Sequence, residues 1–312
     1  MKKIFSVLLL IALFIPLLSS CQAYGRRALK IGVSVSCEVG LDVVTAAVIT
    51  EGDGSIHSCQ IRGESYDYDF DPEDLLTPDG EWDTPIIDLS LSSASVDPAP
   101  PIITVTRFDA SSNSEVADFE EAVKGKTLAD IQGMSTVDSL DSLTNFMIDA
   151  VKRALSTEHI VNFRSGSDLS VGVSYMPTVT ASWGEDGRPS VTVSANVGAA
   201  ALDSSDTVKC AVIDSFEVTF SGFLVKDGES VSDLFSYQGT KLEQRDAYGM
   251  VAWAGAIAEW YAQAQTYANT AIGKRLDEVI TLPEYNVAGC TMYVAGYKPA
   301  IIEAVVNASD NR

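Results

Sequence analysis

The chain has 312 residues, 46% of them hydrophobic, so it is long enough for one large domain or two ordinary ones. Its 43 Asp and Glu residues against 21 Lys and Arg give a formal net charge of −22 at pH 7. Such an acidic surface repels a phosphate backbone, which argues against nucleic acid as a partner. The charge favours solubility and indicates no particular substrate.

The first 20 residues have the pattern of a bacterial export signal. Lys2 and Lys3 precede an apolar stretch over residues 4–18, and small residues then lead to Cys21. The stretch is shorter than the roughly 20 apolar residues of a spanning helix and runs directly into the cleavage motif. We therefore predict cleavage before Cys21, lipid such as palmitate on the new N-terminus, and an extracytoplasmic protein anchored to the bacterial cell membrane. The alternative is an ordinary secretory signal with an incidental cysteine.

Three blocks of sequence recur in the same order in both halves of the chain, which predicts an internal duplication. The first block is a strand containing a glycine, at 29–35 and 169–175. The second is a hairpin, at 45–61 and 196–213, and the third is a Gly-Lys turn, at 125–131 and 273–279. In the hairpins, Gly52-Asp53-Gly54 and residues 203–206 are the predicted turns, and Cys210 is matched with Cys59.

Each half closes with an amphipathic helix. The apolar positions that predict these helices are Leu143, Phe146, Met147, Ala150 and Leu155 in the first half and Ile301, Ile302, Val305 and Val306, after Pro299, in the second.

The predicted fold class is α+β, with two tandem similar units that each pack helices on an antiparallel sheet. After the signal peptide (1–20) and the lipid anchor and tether (21–27), we place the first unit at 28–156 and the second at 168–308. The polar stretch 156–168 is the candidate joint between them. The alternative is one continuous domain in which short apolar blocks recur by chance.

Apolar residues recur at helical spacing from Met250 to Ile272, which predicts a long helix over residues 246–272 that ends before Gly273. Its apolar stripe includes Trp253, Ile257 and Tyr261, and Glu259, Gln263, Gln265 and Asn269 are predicted to face the other way. We interpret the stripe as core packing rather than as a cofactor site.

The remaining cysteines and acidic residues give no metal prediction. Cys37, Cys59, Cys210 and Cys290 allow two disulfides in three connectivities, or buried thiols. The acidic loop 64–83 has Pro72 and Pro78 where an EF-hand needs glycine and glutamate, so only irregular calcium binding stays open. The two histidines, His57 and His159, lack zinc-ligand spacing and a hydrolase context.

The segments around residues 240–274 resemble those of a family of small, largely uncharacterised lipoproteins of Firmicutes. The matching residues are the run Thr240-Lys241-Leu242-Glu243-Gln244-Arg245-Asp246-Ala247-Tyr248-Gly249-Met250, then Glu259-Trp260-Tyr261-Ala262-Gln263-Ala264 and Gly273-Lys274. The resemblance covers residues 169–307 and, more faintly, the first half.

A more distant resemblance links the layout to FMN-binding domains of membrane-associated electron-transfer proteins. Residues 119–131 followed by 143–155 have their order of helix, Gly-Lys turn and closing helix, and Ala288-Gly289-Cys290-Thr291 is similar to their flavin-attachment signature. The resemblance implies Thr291 as the residue that would take the flavin phosphate. However, Ala288 replaces the signature serine, and Asp141 in the first half has no hydroxyl for the bond. Thr291 is also read as part of a β-strand over 290–294.

Several function classes follow from these patterns. The first is a non-enzymatic lipoprotein that binds a small molecule or an envelope protein, with a degenerate FMN-binding-like fold. The second is an extracytoplasmic flavoprotein in electron transfer, with FMN on Thr291 or stacked noncovalently on Trp253, Trp260 and Tyr293. A purely structural envelope protein is the third.

Overall fold

The computed structural model describes residues 25–36, 41–68, 103–134, 142–165, 168–183, 189–221 and 235–311. Several features of the sequence lie outside these residues: the predicted signal peptide, Cys21 with the tether up to residue 24, Cys37, the acidic loop beyond residue 68, and Asp141.

The first sheet is antiparallel and carries its helices after its fourth strand. Its strand order is β4-β3-β2-β1-β5. The strands are β1 Gly25–Ser36, β2 Leu41–Thr50, β3 Ile56–Tyr68, β4 Ile103–Asp109 and β5 Val161–Ser165, and the helices are α1 Ser114–Ala122, α2 Leu128–Met134 and α3 Ser142–Ser156.

The second sheet is also antiparallel, with the order β6-β7-β8-β9. Its strands are β6 Leu169–Trp183, β7 Pro189–Asp203, β8 Val208–Ser221 and β9 Phe235–Tyr237. The helices that follow are α4 Lys241–Gln244, α5 Met250–Ala254, α6 Trp260–Ala268, α7 Leu276–Val279 and α8 Tyr297–Asp310, with 3₁₀ turns at Arg245–Tyr248 and Asn269–Ala271.

The two sheets pack face to face between two helical layers. One face of the first sheet forms a core with α1–α3, including Ala46, Cys59 and Met147. Its other face, including Ile31, shares a larger core with the second sheet. Helices α6 and α8 cover the outer face of the second sheet. The observed class is therefore α+β with two antiparallel sheets, as the sequence predicts.

A glycine in the first strand of each sheet lets a helix approach very closely. A Cβ atom built on Gly32 would lie 2.1 Å from the Ala150 carbonyl oxygen of α3. A Cβ atom built on Gly172 would lie 2.0 Å from the Ala304 carbonyl oxygen of α8. Real Cβ contacts are longer than this, so only glycine fits at either position without moving the helix.

Side chains from the first sheet and from α8 satisfy the free edge of β6. The Val173 amide donates to Gln60 Oε1 at 2.6 Å, and Asn307 Nδ2 donates to the Val173 carbonyl at 2.7 Å. The Tyr66 and Tyr175 hydroxyls bond across the same junction at 2.8 Å. These bonds protect an edge strand and tie the two sheets together.

Both predicted hairpins and both closing helices are confirmed. In the hairpins, Thr50 pairs with Ile56 and Leu202 with Val208, on either side of the predicted turns. Helices α3 and α8 bury predicted residues such as Met147, Ala150 and Ile301. The polar stretch 156–168 contains more than a joint, because β5 lies within it and pairs with β1.

The single long helix predicted over residues 246–272 is wrong. The segment breaks at Gly249 and Gly255, which have φ values of 71° and 62°, in the left-handed region that favours glycine. The segment forms separate short helices, Met250–Ala254 and Trp260–Ala268. Trp253 is 67% exposed instead of lying in the core, and Gln263 is fully buried instead of facing outward.

The strand predicted over residues 290–294 is also wrong. Residues 290–294 form irregular backbone with a bend at Met292, and the preceding Gly289 has a φ of 80°. Instead of pairing in a sheet, the Thr291 amide donates to the Gln263 side chain.

The described cysteines are buried thiols that occupy different environments. Cys59, Cys210 and Cys290 are free. Cys59 belongs to the core under α1–α3, whereas Cys210 belongs to the core between the sheets. The predicted match of Cys59 with Cys210 is therefore off by one residue, because Cys210 is the second residue after Val208 and Cys59 is the third after Ile56.

Candidate functional site

A polar cleft of about 420 Å³ lies beside the outer face of β7 and β8, between β9 and α4. Hydrogen-bonding side chains dominate its wall: Ser194, Ser215, Glu217, Thr219, Ser236, Gln238 and Gln244. Lys241 and Tyr248 close one side. A concave site with several converging polar groups and an aromatic ring is typical of a small-molecule binding site.

The strands supply a row of polar groups because alternate residues face outward. Ser194 and Glu217 are cross-strand partners, and the serine hydroxyl donates to the glutamate at 2.8 Å. Thr192 and Thr219 are the next pair on the same face, and their hydroxyls bond at 2.9 Å. This row fixes the orientation of the acceptors and donors that a ligand meets.

Helix α4 is short, and its position depends on capping and on a buried carboxylate. Thr240 and Glu243 form a capping box at its N-terminus. Asp214, 2% exposed, accepts hydrogen bonds from the Ser215 amide at 2.7 Å and from the Leu242 amide at 3.1 Å. Burial raises the pKa of Asp214 to about 7, against the hydrogen bonds that favour its charged form. Through its hydrogen bonds to the Ser215 and Leu242 amides, Asp214 links β8 to α4.

The Lys241 ammonium lies between two aromatic rings at the side of the cleft. Its nitrogen is 5.0 Å from the centre of the Tyr248 ring and 5.3 Å from that of Trp260. These distances fit cation–π interactions. Trp260, 2% exposed, is held by its indole N–H, which donates to the Tyr297 hydroxyl at 3.2 Å. Within the described residues no carboxylate pairs with this ammonium, so the rings are its main partners.

The aromatic site residues predicted from the sequence do not all contact the same side chains. Trp260 belongs to the wall behind Lys241, and Trp253 packs edge-on against Tyr248 with ring centres 6.3 Å apart. Tyr293 packs against Tyr285 instead, at 5.9 Å.

Thr291 lies on the same loop as Tyr293 and is engaged in a local hydrogen bond. Its hydroxyl donates to Gln263 Oε1 at 3.0 Å. The aromatic residues predicted from the sequence therefore do not form one cluster. Trp253 contacts Tyr248, and the Lys241 ammonium contacts both Tyr248 and Trp260.

Sequence reasoning did not identify Lys241, Tyr248 or Asp214 as site residues. The signal was present in part, because alternating Ser and Thr on β7 and β8 indicates an outward polar face. The run 240–250, used for the family resemblance, also contains the lysine and the tyrosine. Lys241 and Tyr248 come close to Trp260 because the backbone turns at Arg245–Tyr248 and Gly249. The spacing of apolar residues did not predict these turns.

The described residues contain neither a metal-ligand cluster nor a membrane-spanning helix. In the part of the chain that the structure describes, three or more His, Cys, Asp or Glu side chains nowhere gather as a metal site would require. Among these same residues, no helix has both the length and the apolar character needed to cross a bilayer.

Comparison of the chain with protein-family models, with curated proteins and with solved structures gives no significant match.

Proposed function

We propose that the protein is an extracytoplasmic lipoprotein, anchored to the cell membrane through Cys21, that binds a ligand or partner without catalysing a reaction. The observation that carries the binding role is the polar cleft with Lys241 held between Tyr248 and Trp260. A lysine fixed in this way is preorganised, so little side-chain entropy is lost when a ligand arrives.

The chemistry of the cleft favours a neutral molecule with several hydroxyl or amide groups. One ammonium, from Lys241, and one carboxylate, from Glu217, leave the lining near electrical balance. Hydroxyl groups of Ser and Thr and the amides of Gln238 and Gln244 donate and accept hydrogen bonds. Small sugars and polar peptides of the cell envelope belong to this class.

We also propose that the chain contains one α+β unit twice. The close approach of α3 to Gly32 and of α8 to Gly172 supports it. So does a second matched feature, in which each hairpin strand exchanges backbone bonds with a Gly-Lys pair. Ile56 bonds with the backbone of Gly125 and Lys126 at 2.8 Å, and Val208 bonds with that of Gly273 and Lys274 at 2.8 and 2.9 Å.

The FMN-binding-like character of these units is proposed from the resemblance of their layout, with the attachment chemistry lost. The rival function is an extracytoplasmic flavoprotein in electron transfer. The full-length protein is expected to be colourless, and a yellow preparation with flavin absorbance, lost on Thr291→Ala, would favour the rival.

Replacing Lys241 tests the cleft. Lys241→Met keeps most of the length of the side chain and removes the ammonium donor, so it is expected to weaken binding of N-acetylglucosamine oligomers by about tenfold or more. Thermal denaturation with increasing oligomer gives the affinity, because a ligand of the folded state raises Tm.

The matched control for this test is Lys126→Met, in the Gly-Lys turn of the first unit, which should bind like the unmodified protein. Equal affinities of the Lys241 variant and the unmodified chain would refute the assignment of the cleft.

Replacing Cys21 tests the anchor. Cells fed an alkyne analogue of palmitate are expected to label the unmodified chain and the Cys37→Ser variant, and to leave Cys21→Ser unlabelled. The physical reason is that only the cysteine at the cleavage site receives the lipid. Equal labelling of the Cys21 variant would place the lipid elsewhere, and absence of label on all three chains would favour a secreted protein.

A further inference from the structure

An uncharged and exposed segment lies next to the cleft. From Gly249 to Ala258 the sequence has no charged side chain. Within it Trp253 is 67% exposed, Ile257 64% and Val251 43%. A single exposed apolar residue is ordinary, but a group of large ones without intervening charge marks an interaction surface.

A second exposed loop adds two tyrosines. Tyr285 is 60% exposed and Tyr293 67%, and their rings pack against each other. The fully buried Gln263 joins the two loops, since it donates to the Ala258 carbonyl at 2.8 Å and accepts from the Thr291 amide at 2.7 Å. We call the group Val251, Trp253, Ile257, Tyr285 and Tyr293 the apolar loop surface.

Key polar groups beneath the first loop are already satisfied within the protein. The Met250 and Val251 amides donate to the Glu259 carboxylate at 2.7 and 3.2 Å. The Trp253 indole N–H donates to the Tyr248 carbonyl at 3.1 Å. These three donors therefore stay paired when water is removed from the loop, which lowers the free-energy cost of burying them.

We propose that the apolar loop surface inserts into the lipid bilayer that carries the anchor, which rests on the proposed anchoring through Cys21. Three residues separate Cys21 from Gly25, where β1 begins, so a fully extended tether spans at most about 14 Å. The domain cannot leave the membrane surface. Trp and Tyr with aliphatic neighbours are the side chains that favour the boundary between headgroups and acyl chains.

The remaining charge distribution points to the same occupant. The protein carries a net charge of −22, which opposes contact with an anionic membrane over most of its surface. No charged residue lies between Gly249 and Ala258 or between Tyr285 and Tyr293. Glu284, which precedes Tyr285, is paired with Lys298 at 3.1 Å, so this surface carries little of the repulsive charge. It also offers few hydrogen-bonding side chains, which a sugar polymer would need, so lipid is a better fit than glycan.

Insertion sets the orientation of the domain. Trp260, beside the loops, contacts Tyr297 at the start of α8. At the other end of α8, Asn311 shares a cleft with His57, whose ion-pair partner Glu51 lies beside Gly25. Helix α8 is about 21 Å long. Contact of both the tether and the loops with one bilayer therefore lays α8 along the membrane, with the polar cleft opening near its surface.

Brominated lipids test the insertion directly, because bromine quenches tryptophan only at close range. The full-length acylated protein is reconstituted in phosphatidylcholine vesicles with and without brominated acyl chains. Quenching is expected for the unmodified protein, to be largely lost in Trp253→Phe and reduced in Ile257→Ser. Ile272→Ser, which changes an isoleucine 44% exposed and next to the Gly-Lys turn of the second unit, is the matched control and should be quenched like the unmodified chain.

Quenching that is the same with and without Trp253 would overturn the proposal, and would leave the surface to a protein partner. Vesicle flotation separates this result from a failure of anchoring. An anchored chain whose loops stay in water floats with the vesicles and shows no quenching of Trp253. A chain that does not float contradicts the anchor as well as the insertion. Unchanged circular dichroism of each variant checks that it folds.

Discussion

Gly172→Ala is expected to lower the free energy of unfolding by about 3 kcal/mol or more, at the upper end of the cost of overpacking a core. The new Cβ would lie 2.0 Å from the Ala304 carbonyl oxygen and 2.3 Å from the Ala308 amide nitrogen. Both are backbone atoms of α8, so the contact can be relieved only by moving the helix away from the sheet. Such a movement would also loosen Ile301 and Val305, which α8 buries in the core.

Urea unfolding followed by circular dichroism measures this loss. Gly32→Ala, facing Ala150 and Ala154 of α3 at 2.1 and 2.3 Å, should show a loss of the same order. The matched control is Gly133→Ala on α2, where nothing lies within 4 Å of the new Cβ, and a gain of about 0.5–1 kcal/mol is expected from the better helix former. A Gly172→Ala protein as stable as the unmodified one would mean that α8 does not pack so closely.

Asp214 is expected to make the protein less stable as the pH rises from about 4 to about 7. Burial raises its pKa from an ordinary carboxyl value to about 7, so between roughly pH 4 and 7 the folded state binds a proton that the unfolded state has released. This contribution is fully present at low pH and is lost as the pH passes the folded-state pKa. Its size is on the order of 2–4 kcal/mol.

Asp214→Asn isolates this effect. The asparagine oxygen still accepts from the Ser215 and Leu242 amides, whereas the charge is gone, so the variant should be more stable than the unmodified protein at about pH 8. Asp214→Ala leaves both amides without their acceptor and should be destabilised at every pH.

Unfolding free energies of the three chains across this pH range are the measurement. Glu120, whose pKa burial raises to about 7, contributes with the same sign as Asp214. His57 and His159, whose pKa values burial lowers, contribute with the opposite sign. Subtracting the unfolding free energy of Asp214→Asn from that of the unmodified protein cancels the contributions of these other groups. A difference that stays constant with pH would show that Asp214 does not titrate in this range.

Local patterns predicted much of the fold, because they reflect contacts within a hairpin or along one helix. The turn at Gly52-Asp53-Gly54 and the apolar side of α3 are set by neighbouring residues, and both form as predicted. The segment 246–272 also has apolar residues at helical spacing. There the glycines at 249 and 255 adopt left-handed backbone, and tertiary contacts of Glu259 and Gln263 hold the pieces.

The candidate site was harder to predict because its parts meet only after folding. The sequence identified Trp260 as a possible stacking surface. Its partner cation, Lys241, is nineteen positions earlier in the chain, and it comes close only because α4 and the following turns reverse the chain direction. A buried aspartate such as Asp214 has no sequence signature, since its role is to cap the amides of another element. The exposure of Trp253 likewise follows from the break at Gly249.

Tyr248 connects the cleft to the apolar loop surface, because it lines the cleft and packs against Trp253. A ligand in the cleft would therefore be held close to the membrane on which the loops rest. This arrangement suits a protein that collects or presents a molecule at the cell surface, and it needs no catalytic group.

Intact-mass spectrometry of the protein extracted from membranes tests the central claim, an anchored binding protein without bound flavin. We predict a single chain that begins at Cys21 and carries a lipid, with no further addition. A chain that begins at another residue without lipid, or one that carries the mass of FMN on a fragment containing Thr291, would contradict the claim.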